Sequence, residues 1–214
     1  MTEEFVPTTK LEPIFPVPLY STNRKLELSE TEKKEIGDII NEGMDKNVLN
    51  SHSKNSYIFD TKLQEIKEFC QGHINNYLEK VICPVKEKNI ELYITQSWIN
   101  VTEPMQGHHK HNHANSIISG VFYIQTLKND FIALHDPNYF AKSFMYIIPE
   151  THHEYNTNVF QMPVKALDLI LFPSWLEHEV RPTKTTENRV SLSFNTFIEG
   201  FVGHREDLSE VVLD

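Results

Sequence analysis

The chain has 214 residues, 39% hydrophobic and 23% charged, a balance that supports a packed core and excludes an intrinsically disordered chain. Thirty acidic against 20 basic residues leave a formal net charge of -10, a field that repels phosphate backbones and anionic lipid and so argues against nucleic acid and membranes as partners. Two cysteines, Cys70 and Cys83, without CxxC spacing, no basic-then-apolar leader, and no apolar run approaching the about 20 residues of a spanning helix point to a reduced, cytoplasmic protein.

Residues 1–25 are punctuated by Pro7, Pro13, Pro16 and Pro18, which predicts an extended lead-in with an edge strand. The small cationic runs Asn23-Arg24-Lys25 and Lys33-Lys34 read as solvated surface. Ser29 and Glu32 form a capping box ahead of Ile36, Ile39, Ile40 and Met44, an amphipathic helix. A longer helix is predicted from Thr61 to about Val81, where Leu63, Ile66, Phe69, Cys70, Ile74, Tyr77, Leu78 and Val81 recur at helical spacing.

After Pro84 the pattern changes to strands: Leu92–Val101, Ser116–Gln125, Phe131–His135, Ser143–Ile148, Val164–Phe172 and Arg189–Ile198. Short strands without intervening helices predict a mainly β fold, a sandwich, barrel or cupin-like jelly roll. With no linker or repeat, residues 1–214 read as a single domain, in which the segment and helices of 1–90 pack on a β core of 91–200.

Four of the eleven histidines, His108, His109, His111 and His113, fall within six residues. If the stretch is extended, His111 and His113 project from one face and can converge on a divalent metal. A solvated, histidine-rich loop is the competing reading. His178, after the apolar strand ending at Phe172 and the turn Pro173-Ser174-Trp175, is the candidate third ligand. His52, His73, His135, His152, His153 and His204 lack such context, while Trp98 and Trp175 read as core or pocket wall.

From Arg189 to Phe197 polar and apolar residues alternate, placing Arg189, Ser191, Ser193 and Asn195 on one face. That face belongs either to solvent or, in a β-helix, to the pocket. A guanidinium beside a hydroxyl suits a carboxylate, because Arg meets both oxygens with a planar fork.

A distal histidine, His178, followed by Arg189-Val190-Ser191 resembles the iron(II)- and 2-oxoglutarate-dependent oxygenases. So do Ser97-Trp98-Ile99-Asn100, the run from His111-Asn112-His113 through Ser119-Gly120-Val121-Phe122-Tyr123, Asp136-Pro137, and Leu171-Phe172-Pro173-Ser174-Trp175-Leu176-Glu177-His178, covering about residues 92–200. The resemblance implies a double-stranded β-helix in which His111, His113 and His178 hold Fe(II). It also implies that Arg189 and Ser191 grip the far carboxylate of 2-oxoglutarate. Tyr123, on one strand face with Ser119 and Gln125, is either a further cosubstrate contact or a packed aromatic, and Asn100, Asn115 and Asn195 offer amide hydrogen bonds to the same ligand or serve the structure. Oxygen and a substrate, a protein side chain or a small metabolite, complete the expected partners, and hydroxylation is the expected outcome.

Two features depart from the superfamily pattern. His113 stands where an Asp or Glu usually completes the metal face, and three neutral ligands leave ferrous iron more positive than the usual triad does. Were His113 not a ligand, Asp136 is the nearby carboxylate, although Asp136-Pro137 reads more simply as a turn. Leu167-Asp168-Leu169 replaces a Gly-Asp-Leu turn, so Leu167 is expected to extend the strand, since Leu tolerates positive φ poorly. Two rivals remain: a three-histidine cupin-type iron dioxygenase without 2-oxoglutarate, in which Arg189 has no cosubstrate, and a non-catalytic metal-binding jelly-roll module.

Overall fold

The computed structural model describes residues 10–138, 148–153, 155–182 and 184–214. The lead-in carries an edge strand, β1 (Tyr20–Asn23), and is followed by helix α1 (Glu30–Glu42). The capping box forms at its start: the Ser29 hydroxyl accepts the Glu32 N–H at 3.2 Å and the Glu32 carboxylate accepts the Ser29 N–H at 2.8 Å. The other Glu32 oxygen takes a 2.7 Å hydrogen bond from Arg24, which is 9% exposed. Arg24 is therefore no solvated cation, as its cationic run implied, but one half of a buried pair that ties the lead-in to α1.

Helix α2 (Gln64–Tyr77) continues as a wider turn over Leu78–Ile82. It begins three residues later than the apolar spacing predicts, because Leu63 sits at φ 56 and gives its N–H to the Glu35 carboxylate at 2.7 Å.

The remaining strands are β2 (Met44–Lys46), β3 (Ser51–Ser53), β4 (Glu91–Thr102), β5 (His108–His111), β6 (Ile118–Gln125), β7 (Phe131–His135), β8 (Val159–Pro163), β9 (Asp168–Pro173), β10 (His178–Val180), β11 (Arg189–Val202) and β12 (Val211–Leu213). A large sheet runs β1-β9-β6-β11-β4-β3-β2 with β12 added to β11, and a smaller one runs β5-β10-β7-β8. This is the two-sheet jelly-roll arrangement. Of the predicted strand Ser143–Ile148, residues 143–147 lie outside the described residues.

Strand alternation sorts the large sheet into two faces. Leu169, Leu171, Phe122, Leu192 and Phe194 pack under Ile39, Ile66, Cys70 and Ile74 of the helices. Ile170, Phe172 and Tyr123 point the other way, onto Ile132 and Leu134 of the small sheet. The helices thus cover the outer face, and the space between the sheets is left for the site.

Leu167 does not extend β9. It holds φ 70, and its N–H bonds the Tyr123 carbonyl at 2.7 Å while Asp168 closes the turn onto the Lys165 N–H at 2.9 Å. Leu thus occupies the left-handed turn where glycine was expected, and its side chain, 8% exposed, joins the core beneath the helices. Cys70 and Cys83 are both free, one buried and one exposed. No helix among the described residues is long and apolar enough to cross a membrane.

Candidate metal and cosubstrate site

The small sheet brings two histidines face to face. In the antiparallel pairing of β5 with β10, His178 stands directly opposite His111. His113 follows two residues after His111, and its N–H is anchored on the Ser174 carbonyl at 2.9 Å, in the turn that leads to His178. One nitrogen from each of the three rings lies within 4.8 Å of the others. Ring centres are 4.3 Å apart for His111 and His178, and 5.1 Å for His111 and His113.

Backbone carbonyls orient two of these rings. His111 Nδ1 is 2.7 Å from the His109 carbonyl and His178 Nδ1 is 3.0 Å from that of Leu176, so each Nδ1 carries the proton and Nε2 is left as the free donor atom. Phe172 packs edge-on against His178 at 4.7 Å, and Trp98 lies beside His113 at 5.9 Å. Burial, reinforced by the neighbouring His111, holds His113 down at about 4, and burial holds His178 well below the usual histidine range. All three imidazoles are therefore neutral near pH 7, the form that binds a metal.

His108, on the same strand, stacks on His111 at 4.1 Å and also lines the cavity. With His109 it forms a second, more exposed histidine group that shares His111. The remaining histidines stay apart: His135 lies 3.5 Å from Glu179, and His152 and His153 are exposed. Asp136 closes its turn by accepting the Asn138 N–H at 2.9 Å, and it is not among the grouped metal-ligand residues.

The cavity, open to solvent, extends from the histidines to Arg189 at the start of β11. Ser191 and Ser193 line it too, so the polar face of this strand turns to the cavity rather than to solvent. Arg189 is 3% exposed, and its Nε lies 3.3 Å from Asp130 without hydrogen-bond alignment. Nε and Nη1 are both buried without a hydrogen-bond partner. The Tyr123 ring lies 5.0 Å from the guanidinium carbon, its hydroxyl is likewise buried without a partner, and burial pushes this phenol up to about 12.

Asn100 lines the cavity and gives a 3.0 Å hydrogen bond to Ser193. Two other expected cosubstrate contacts are placed differently. Asn115 is exposed, in a turn at φ 53 ahead of β6, and Asn195 reaches the cavity only through Ser119, whose hydroxyl it accepts at 3.1 Å. Trp175 is neither core nor wall, being 52% exposed.

Asp130 and Asn50 were not anticipated. Asp130 sits in a turn and accepts the Leu127 and Phe131 N–H groups at 3.2 and 2.9 Å, a position with no spacing signal. Asn50 arrives from the distant β2–β3 hairpin.

Among curated proteins no sequence matches this one. Solved structures share its fold. An oxidoreductase of the 2OG-Fe(II) oxygenase family from Burkholderia pseudomallei is 11% identical, with a TM-score of 0.55 over 84% of each chain. HygX from Streptomyces hygroscopicus, with nickel, 2-oxoglutarate and hygromycin B bound, is 9% identical, with a TM-score of 0.53 over 85% of this chain and 83% of that one. A Trichoplax adhaerens prolyl hydroxylase in complex with a hypoxia inducible factor peptide fragment is 12% identical, with a TM-score of 0.55 over 84% and 83%. Residues 96–195, which span the histidines, Tyr123, Arg189 and Ser191, match the family model described as "Putative 2OG-Fe(II) oxygenase".

Proposed function

We propose that the protein hydroxylates a protein side chain or a small metabolite, with His111, His113 and His178 holding iron and Arg189, Ser191 and Tyr123 holding the far carboxylate of 2-oxoglutarate. One observation carries this reading: a buried guanidinium, ion-paired with Asp130 yet without an aligned hydrogen bond at two of its nitrogens, lies beside a buried phenol and shares a cavity with three convergent neutral imidazoles. Donors buried without acceptors are costly, and a carboxylate arriving between them removes that cost. Iron and 2-oxoglutarate bound there would supply dioxygen activation coupled to oxidative decarboxylation of the cosubstrate.

The chain's own residues bind, orient and shield. The carbonyls of His109 and Leu176 fix the His111 and His178 rings, and Phe172 and Trp98 present apolar surface beside the metal ligands. Asp130 stands against the guanidinium and offsets part of its charge. Substrate class is open between the two kinds that the similar structures carry, a peptide and hygromycin B. The net charge of -10 argues against a nucleic-acid substrate.

Ferrous iron and 2-oxoglutarate added to the protein under argon should give a metal-to-ligand charge-transfer band. Iron uptake without the band sinks the cosubstrate assignment and favours the three-histidine dioxygenase. No iron uptake at all leaves the non-catalytic module.

A further inference from the structure

Among the described residues, the cavity has one unpartnered polar atom of opposite character. Asn50 is 4% exposed and lines the cavity, and its Oδ1 is buried without a hydrogen-bond partner. In the structure it belongs to a chain of amides. Asn100 gives its Nδ2 hydrogen to Ser193 at 3.0 Å, and its Oδ1 lies 3.5 Å from the Nδ2 of Asn50. The Asn50 carbonyl oxygen is thereby left over as an acceptor.

The backbone around Asn50 is bonded to its neighbours. Its own carbonyl accepts the Asn47 N–H at 2.8 Å, Leu49 accepts the Gly107 N–H at 3.1 Å, and Ser51 pairs with Val101 of β4. The Asn47 side chain reaches His108 at 3.2 Å, so the hairpin between β2 and β3 is stitched to the strand that carries the histidines.

2-Oxoglutarate offers only acceptors, two carboxylates and an oxo group. Arg189, Ser191 and Tyr123 supply donors for it. An acceptor oxygen cannot serve it, and beside a carboxylate it would repel. We infer that Asn50 Oδ1 is a recognition point for the primary substrate, which presents an uncharged hydrogen-bond donor there, the N–H of a carboxamide or the O–H of an alcohol. A cationic ammonium is disfavoured, since Arg189 lines the same cavity and a metal dication would add to its field. Asn50 lies outside residues 96–195, so the inference assigns part of substrate selection to the N-terminal hairpin. It rests on the cosubstrate reading above.

The test uses ¹⁵N-labelled full-length protein loaded with zinc and 2-oxoglutarate. It is titrated with N-methylacetamide and, in parallel, with N,N-dimethylacetamide, a close analogue without the N–H. One neutral hydrogen bond is worth roughly a three- to tenfold preference. The N–H amide should bind tighter by that factor and shift the Asn50 side-chain resonances. Asn50→Ala should erase the preference and leave 2-oxoglutarate affinity unchanged, and Asn50→Asp, which keeps an acceptor, should retain the preference.

Equal binding of the two amides by the wild type, or a preference that survives Asn50→Ala, overturns the inference. So does a tenfold loss of 2-oxoglutarate affinity in Asn50→Ala, which would place Asn50 in the cosubstrate site. A wild type that takes up zinc but no 2-oxoglutarate overturns the reading beneath it instead.

Discussion

The guanidinium of Arg189 is held in a state that favours an incoming carboxylate. It is buried, offset on one side by Asp130, and left without a hydrogen bond at Nε and Nη1. Arg189→Ala should weaken 2-oxoglutarate by about 2 to 5 kcal/mol, roughly 30-fold or more, and spare metal affinity, as anaerobic titration will show. Asp130→Asn should act differently, because it strands the cation: loss of one partner of a buried pair costs about 3 to 5 kcal/mol. Saturating 2-oxoglutarate should restore part of that loss, so the ligand-induced rise in Tm should be larger in this variant than in the wild type. Arg189 and Ser191 were legible in sequence because alternation along one strand names its polar face, though not whether that face meets water or a cavity. Asp130 was not legible, since a buried aspartate in a turn is written like any exposed one.

At the level of the elements, local rules held where the chain decides its own geometry. The capping box at Ser29 and Glu32, the alternation of β11 and the edge strand of the lead-in follow from neighbours in sequence. The short strands β2, β3, β5 and β10 did not announce themselves. Each has three or four residues, is rich in polar side chains, and is extended only because a partner pairs with it. Leu167 shows competition between two terms. A left-handed Leu costs about 1 to 2 kcal/mol, whereas removing a buried Leu side chain costs about 2 to 5. Leu167→Gly should therefore relieve the turn and still destabilise the protein by about 1 to 3 kcal/mol, measured by urea unfolding. A more stable variant would mean that backbone strain outweighs the buried side chain.

Across the whole molecule, the site makes stability depend on pH in one direction. Burial lowers His108 to about 3 and His113 to about 4, and lowers His178 further than the usual range, whereas the same residues titrate near 6.5 when unfolded. The unfolded chain therefore binds more protons below that value, and stability falls with acidification, by up to about 1.4 kcal/mol per pH unit for each such histidine. The urea midpoint of metal-free protein should be lower at pH 5.5 than at pH 7.5, and an unchanged midpoint would contradict neutral, buried imidazoles.

Strand β11 runs 14 residues and is paired on both sides from Val190 to Phe194, with β4 on one edge and β6 on the other. Its amides there open only when two neighbouring ladders separate together, so in deuterium they should exchange among the slowest in the molecule. The Arg189 anchor begins that segment, while the Asn50 hairpin pairs with the sheet only along short β3, its further bonds running to Gly107 and to the side chains of His108 and Asn100. One end of the cavity should thus exchange near the global unfolding limit and the other well before it, making the cosubstrate cradle rigid and the substrate-facing rim the part that yields.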